Sequence, residues 1–465
     1  MFVAGVVRRH MASSVLLWLR QDLRLADQPA LAAAIHDGPV VPVYVLDDET
    51  PGKHAMGGAS RWWLHHSLKA LDEALREKGS RLILRRGRAD RVLAELMEET
   101  GTTRVHAIHH YEPWWRQAEA RLAERIELVL HDGNQLAPPG SVTTGAGRPF
   151  RIYTPFWRAL RQQMPPVTPM RRPGSIPAPK AWPKSEALDS WGLLPSSPDW
   201  AKGFADWEPG EAGARKRLDD FRDEAADYEA RRNLPSEEGT SRLSPHLHFG
   251  EISPRQIWHR VDAAGGSVDT FLSEVAWRDY AQGIIQQFPD YGTANARDAF
   301  DRMPWRSGPA AKADLRAWQQ GRTGYPIVDA GMRQLWATGW MHNRVRMIAA
   351  SFLIKHLLID WREGERWFWD TLVDADYGNN SVNWQWTAGT GVDSNMFPRI
   401  MAPLSQSEKF EAAAYIREWV PELAGLSDAR IHDPEDHRPK TYPEKRIGHR
   451  EARERALAAY AKTKG

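Results

Sequence analysis

An α/β parallel-sheet domain followed by an all-α domain, joined by a long Pro-rich linker, is the fold class that this sequence predicts. Three observations carry it. Over the first third, short apolar runs rich in β-branched residues alternate with amphipathic helical stretches, the pattern of a parallel sheet covered by helices. From about residue 164 to 210 the composition turns to Pro, Ser and Gly, as in MPPVTPMRRPGSIPAPKAWPK and LLPSSPDW, which marks a connector. Beyond it strand-like runs nearly vanish and helical periodicity takes over.

Taken in order, Val15–Leu19, Val40–Leu46, Arg81–Leu84 and Val105–Ile108 are the expected strands, and Arg61–Lys78, Arg88–Thr100 and Trp114–Ile126 the helices among them. No G-x-G-x-x-G follows the first strand, which argues against a Rossmann-type dinucleotide site. The expected units are a domain over 14–140, a linker over 141–210 and a helical domain over 211–465. Within the last, Met341 to Ile359 is apolar with a helical period and opens on His342, Asn343, Arg344 and Arg346. A buried, unpaired guanidinium costs roughly several kcal/mol, so such a cluster needs an acid or a phosphate. Asp374 and Asp376 follow in a loop, then Asn379 and Asn380, with Trp361, Trp384 and Trp386 close by. Polar groups converging beside aromatic walls suit a deep cofactor pocket; on the residues alone, a Trp-rich core with an internal ion pair is the alternative.

Composition bounds the function. The 465 residues are enough for two or three domains, and a net charge of +2 confines any nucleic-acid site to a local patch. The absence of cysteine excludes disulfides, thiolate metal sites and thiol catalysis. The 17 histidines form no H-E-x-x-H set, which leaves metal hydrolysis unsupported. No apolar run is long enough to span a bilayer, so the chain is expected to be soluble; the lack of cysteine suits a reducing compartment, and a cytoplasmic monomer is the expectation. The opening MFVAGVVRRHM lacks the features of a signal peptide; an upstream start with Met11 as the functional one, or a targeting role, are both open. The 22 tryptophans exceed what packing usually asks for, and flat rings also stack on bases or flavins and can carry an electron hole.

The blocks GWMHNRVRM, DWREGE and DADYGNN followed by WQW, four in one order, resemble the flavin-binding core of the DNA photolyase/cryptochrome family, closest to class I-type cyclobutane pyrimidine dimer photolyases. The resemblance implies an N-terminal antenna domain and a C-terminal catalytic domain holding folded FAD. The reduced flavin, excited by blue or near-UV light, would pass an electron to a flipped-out dimer in UV-damaged DNA and recover it after the dimer splits. The opening LLWLRQDLRLADQPAL is similar to the family's start, which places Arg20, Asp22, Arg24 and Asp27 near the domain interface. HHYEPWWRQAE is similar to the antenna region. There Glu112 would hold a pterin, methenyltetrahydrofolate, with deazaflavin or flavin as alternatives; read alone, Tyr111-Glu112-Pro113 simply starts a helix.

Thr240, Ser241, Arg242, Leu243 and Ser244, with Tyr228 upstream, match the family's diphosphate-binding motif; on chemistry alone the segment is equally a capped helix. Phe271 stands where the family often has Trp. Arg346 and Asp374 would pair near the ring, Asp376 and Asn343 would complete its polar edge, and Asn380 would face N5. Glu274, Asn343, Trp277, Met347 and Trp386 would receive the dimer; (6-4) photolyases usually carry His where this chain has Met347. Arg232, Arg278, Arg344 and Arg399 match phosphate-contacting positions, and Trp384, Trp361 and Trp305 match the electron-transfer chain. A cryptochrome-type light sensor is the rival reading. It would usually show another residue at Asn380 or an extended tail, whereas Tyr442–Lys462 reads as a basic helical stretch.

Overall fold

The computed structural model describes residues 14–263 and 265–464; Met11 and the stretch before it, with the start-site reading that rests on them, lie outside the described residues. Five parallel strands form one sheet: β1 (Val15–Leu19), β2 (Val40–Leu46), β3 (Ile83–Arg86), β4 (Arg104–Ile108) and β5 (Glu127–His131), in the order β3-β2-β1-β4-β5. Val15 pairs with Val40 and Leu16 with Val105, so β1 lies between β2 and β4. Every residue of β1 and β2 is buried, as a parallel sheet covered on both faces requires. The period of two sorts β1 between two cores. Val15, Leu17 and Leu19 meet Leu64 and Leu68 of the Gly58–Arg76 helix, while Leu16 and Trp18 meet Leu93 and Leu96 of the Ala89–Thr100 helix.

Three local expectations change. The third strand starts at Ile83, two residues later than its apolar run suggests. The fifth strand was not anticipated: it is a sheet edge whose residues are exposed or half-buried, so it carries no burial pattern. The linker over 141–210 is not featureless, because Tyr153–Arg161 forms a helix whose Phe156 and Leu160 join the core around the Asp269–Gln287 helix. The linker beyond that helix returns to the sheet domain, where Ile176 N–H donates to Lys78 O at 2.9 Å and Val40 N–H to Pro177 O at 2.8 Å.

The remaining chain is helical and holds no strand among the described residues. The stretch expected to be one helix from Met341 to Ile359 is α-helical only over Asn343–Ser351, with the His342 side chain as its cap. It then widens into a π-helical turn at Phe352–His356 and closes at Leu358 with φ +53°.

The loop after β1 docks the two domains. Leu23 N–H donates to Phe249 O at 3.1 Å, and the Arg24 guanidinium, fully buried, donates to Gly250 O at 2.9 Å. The Asp27 carboxylate accepts from Ser253 Oγ at 2.5 Å and Arg255 Nε at 3.0 Å. Arg20 instead turns back into its own domain, on Glu119. Gly250 adopts φ +64°, and a Cβ there would run into the backbone of Gln21 and Asp22. Gly250→Ala therefore combines a left-handed backbone with a backbone clash. We expect it to lower stability by about 2 kcal/mol or more, read as a fall in the thermal unfolding midpoint of the whole chain.

Candidate functional site

Four segments converge: the Tyr228–Ser244 stretch, the Asp269–Gln287 helix, the Asn343–Ser351 helix, and the turn from Asp374 into the Tyr377–Ala388 helix. The expected ion pair is present. Arg346 grips Asp374 with both terminal nitrogens, at 3.0 and 2.9 Å, while its Nε donates to Met341 O at 2.7 Å. Asp376 caps the helix that follows, its Oδ1 accepting from the backbone and side-chain nitrogens of Asn379, both at 2.7 Å. Its Oδ2 accepts from Gln282 at 3.3 Å. That capping role is legible locally, since Asp before a helix is a preferred cap.

Asn380 is buried, and its Nδ2 donates to the Glu365 carbonyl at 3.1 Å and to Glu365 Oε1 at 2.9 Å. The amide is thereby oriented, and its Oδ1 has no protein donor among the described residues. Glu365 itself is 1% exposed, and burial pushes its carboxyl up to about 7 against the bond from Asn380. Its other neighbour comes from the sheet domain: His54 Nε2 lies 3.8 Å from Oε1. The His54 ring stacks on Trp114 at 5.6 Å and meets the edges of Trp369 and Tyr377. Burial pulls its pKa down to about 4, so the imidazole is neutral at pH 7. Glu365 and His54 are absent from the residues expected at the site. Glu365 stands inside the quoted DWREGE block, but its bond joins two helices, and His54 arrives from another domain; no spacing encodes either.

The Thr240–Ser244 segment runs beneath a basic cluster. Arg242 adopts φ +50°, pairs with Glu238 at 2.6 Å and lies 5.0 Å from the Trp340 ring. Ser241 Oγ accepts from Leu243 N–H at 3.3 Å, Leu243 is buried, and Ser244 opens a short helix with Pro245 behind it. Gly239 permits the approach to Arg231, whose backbone a Cβ would meet at 2.8 Å. Burial first, then the charges of Arg346, Arg344, Arg242 and Arg232, hold the His342 pKa down at about 4, and its buried Nε2 has no partner. Arg346, Arg242 and Arg232 each pair with a carboxylate and Arg344 does not, and together they gather the kind of donors a diphosphate takes. Together with the free acceptor of Asn380, the donor set fits FAD.

At the mouth, Glu274 is gripped from two sides: the Tyr228 hydroxyl donates to one carboxylate oxygen and Arg232 pairs with the other. Tyr228, expected on the cofactor, thus spends its hydroxyl on Glu274, with its ring 5.2 Å from that of buried Phe271. Arg344 donates to Asn233 Oδ1 at 3.1 and 2.6 Å, a partner the sequence did not flag, and its guanidinium lies 4.6 Å from the Phe410 ring. Met347 Sδ is 3.7 Å from Arg344 Nη1. Asn343 is exposed at the start of its helix, and Trp386 is half-buried. Trp277 is half-buried against Tyr153 at 4.7 Å and Tyr280 at 5.1 Å. Arg399 is exposed.

Two more of the expected site residues line one cavity between the domains. Arg278 is turned inward, donating to Leu247 O at 3.2 Å, and lines an interdomain cavity with Gln21, His248 and Asp376. Glu112, 3% exposed, lines the same cavity. Burial pushes its carboxyl up. Among the tryptophans, Trp361 is fully buried and donates to Asn295 Oδ1 at 2.9 Å. Trp384 is 3% exposed beside Phe368 at 5.0 Å and Trp318 at 6.3 Å, and Trp305 is half-buried against the same core.

Both halves of the chain resemble known proteins. The family profile described as DNA photolyase matches residues 15–175, and the one described as the FAD binding domain of DNA photolyase matches residues 271–462. A deoxyribodipyrimidine photo-lyase of Agrobacterium fabrum is 47% identical over 97% of this chain and 98% of its own. The crystal structure of a bacterial class III photolyase from Agrobacterium tumefaciens superimposes with a TM-score of 0.93, at 46% identity, covering 99% of this chain and 100% of that one. An archaeal photolyase from Sulfolobus tokodaii, solved with two FAD molecules, gives a TM-score of 0.82 at 30% identity, covering 96% and 99%.

The buried Glu365 gives a pH test. Its folded pKa of about 7 lies above the ordinary 4.5, so the folded chain holds an extra proton between those values. Stability then falls as pH rises through that window. Glu365→Gln, neutral throughout, should remove this share, up to about 3 kcal/mol. The check is the difference between wild-type and variant unfolding free energies from pH 4.5 to 7.5 (roughly the window set by the two pKa values); a constant difference would overturn it.

Proposed function

Because the chain belongs to the DNA photolyase/cryptochrome family, as a carbon–carbon lyase with an FAD-binding domain, we propose that it repairs cyclobutane pyrimidine dimers in UV-damaged DNA. We place it with the class III type of its 46%-identical solved relative, in place of the class I type suggested by the motifs. Asn380 is the observation that carries the repair reading. It is a neutral amide whose nitrogen is committed to Glu365 and whose oxygen is free, which suits a cofactor that must stay fully reduced. Bound FAD would supply the light-driven electron that opens the dimer and takes it back.

The chain's own residues bind, orient and exclude water. Thr240, Ser241, Arg242 and Ser244 are assigned to the diphosphate, and Arg346 with Asp374 to the ring edge. Met347, Trp277 and Trp386 are the walls for a flipped-out dimer, and Asn343 and Glu274 its polar contacts. Burial raises the Glu274 carboxyl while Arg232 and Tyr228 pull it down. Both Glu274 oxygens hold a donor, so one of Tyr228 and Arg232 must release its oxygen before a protonated Glu274 donates to a dimer carbonyl as charge develops there. Arg232, Arg344 and Arg399 remain the proposed phosphate contacts; Arg278, turned inward, is withdrawn from that set. No helix of the described chain is long and apolar enough to cross a membrane, and we propose a monomer working in the cytoplasm. An antenna, methenyltetrahydrofolate or a deazaflavin or flavin, completes the proposal, with Glu112 assigned to a pterin.

The test is an absorption spectrum of the purified protein followed by a light-dependent dimer-repair assay; bound flavin with no repair would favour the sensor reading. Trp361→Phe is expected to block light-driven reduction of the oxidised cofactor while sparing repair by chemically reduced enzyme. An unchanged reduction rate would return Trp361 to core packing or route the electron through Trp318. Glu274→Ala should keep its flavin, repair fewer dimers per absorbed photon, and bind dimer-containing DNA more weakly by roughly 1–3 kcal/mol. Glu274→Gln should retain much of the activity, because an amide can still donate. Full activity in the alanine variant would make Glu274 an ordinary helix carboxylate.

A further inference from the structure

Lys355 is fully buried and forms no ion pair among the described residues, and of the residues assigned to cofactor or substrate it bonds only the backbone of Arg399. Burial alone pulls its ammonium down to about 7. Such a group is costly unless its protons are satisfied, and here two backbone carbonyls do so: Nζ donates to Met396 O at 2.9 Å and to Arg399 O at 3.0 Å. Those carbonyls bracket one turn, in which Arg399 N–H donates to Met396 O at 3.0 Å. Lys355 reaches them from the π-helical turn at Phe352–His356, a widening common at functional positions.

The bracketed turn carries Arg399, one of the proposed phosphate contacts. Upstream, Ser394 Oγ donates to Trp386 O at 2.5 Å and Arg297 donates to Ser394 O at 2.8 Å. Downstream, Lys355 is the side-chain tie, and the Arg399 side chain emerges from it into solvent. We propose that Lys355 is a positioning residue for DNA: its buried ammonium, through the carbonyls of Met396 and Arg399, fixes the turn that presents the Arg399 guanidinium to a backbone phosphate beside the dimer. The inference rests on the proposed reading of Arg399 as a phosphate contact.

The experiment measures dark binding of the FAD-loaded full chain to a duplex carrying one cyclobutane thymine dimer, over a salt series. Arg399→Ala should weaken binding roughly ten-fold and reduce the slope of log affinity against log salt by about 0.9. Lys355→Met should reproduce both changes with its flavin retained, and the double variant should be no worse than Arg399→Ala. Lys355→Gln, which keeps an amide donor, should recover part of the loss, and it replaces Lys355→Met if that variant does not fold. Losses that add in the double variant, or Lys355 variants with wild-type affinity and slope beside a weakened Arg399→Ala, overturn the inference alone. An Arg399→Ala protein with wild-type affinity and slope overturns the reading of Arg399 and the inference with it.

Discussion

The site depends on one constraint, the buried polar lock between the β1 loop and the segment that follows the Thr240–Ser244 stretch. Arg24 and Asp27 are essentially without solvent contact, and between them they bind Gly133, Asn134, Gly250, Ser253 and Arg255. Removing one partner of such a buried pair strands the other and costs about 3–5 kcal/mol. The lock fixes where Ser244–His248 begins, and with it the basic cluster above. Trp63 of the sheet domain adds a 2.9 Å bond from its indole nitrogen to buried Glu251. The sheet domain is therefore a wall of the catalytic half as well as a neighbour.

The same dependence explains what could be read from the sequence. β1 and β2 match their apolar runs residue for residue, because strands buried on both faces have only one composition open to them. The Arg346–Asp374 pair was legible because a guanidinium in an apolar helix demands an acid, and one block supplied it. β5 was not, since an exposed edge imposes no pattern. Neither was the π-helical turn: Lys355 sits in an apolar run that continues a helix perfectly well, and its bonds are to Met396 and Arg399, far along the chain. Glu365, Asn233 and His54 fail for a third reason. Each is defined by a partner on another element, and single-sequence spacing carries no information across elements.

Aromatic abundance looked like function at the level of composition, yet the structure divides it. Trp63 and Trp207 serve the domain contact, their rings 5.4 Å apart. Trp384 serves the interior of the helical half, where Gly364 makes room: a Cβ there would strike the indole ring. Trp318 lies 6.3 Å from Trp384 and is fully buried, so Trp384 has an indole neighbour outside the expected chain of three. Counting tryptophans cannot separate these roles, because burial of a large ring and transfer of an electron hole ask for the same side chain.

The acids of the pocket divide: Asp374 and Glu274 meet guanidiniums and Asp376 meets only amide donors, while the Arg344 guanidinium is left with a neutral partner. Asp374 is spent on Arg346, Asp376 on the nitrogens of Asn379, and Glu274 on Arg232 and Tyr228. Glu365 keeps its proton up to about pH 7 because burial denies its charge solvation. Arg344, by contrast, binds the amide oxygen of Asn233 and the face of Phe410. A chain of net charge +2 thereby gathers the guanidiniums of Arg232, Arg242, Arg344 and Arg346 about one site. That is the arrangement a site needs if it must hold a diphosphate, tolerate an anionic cofactor and meet a phosphate backbone at one opening.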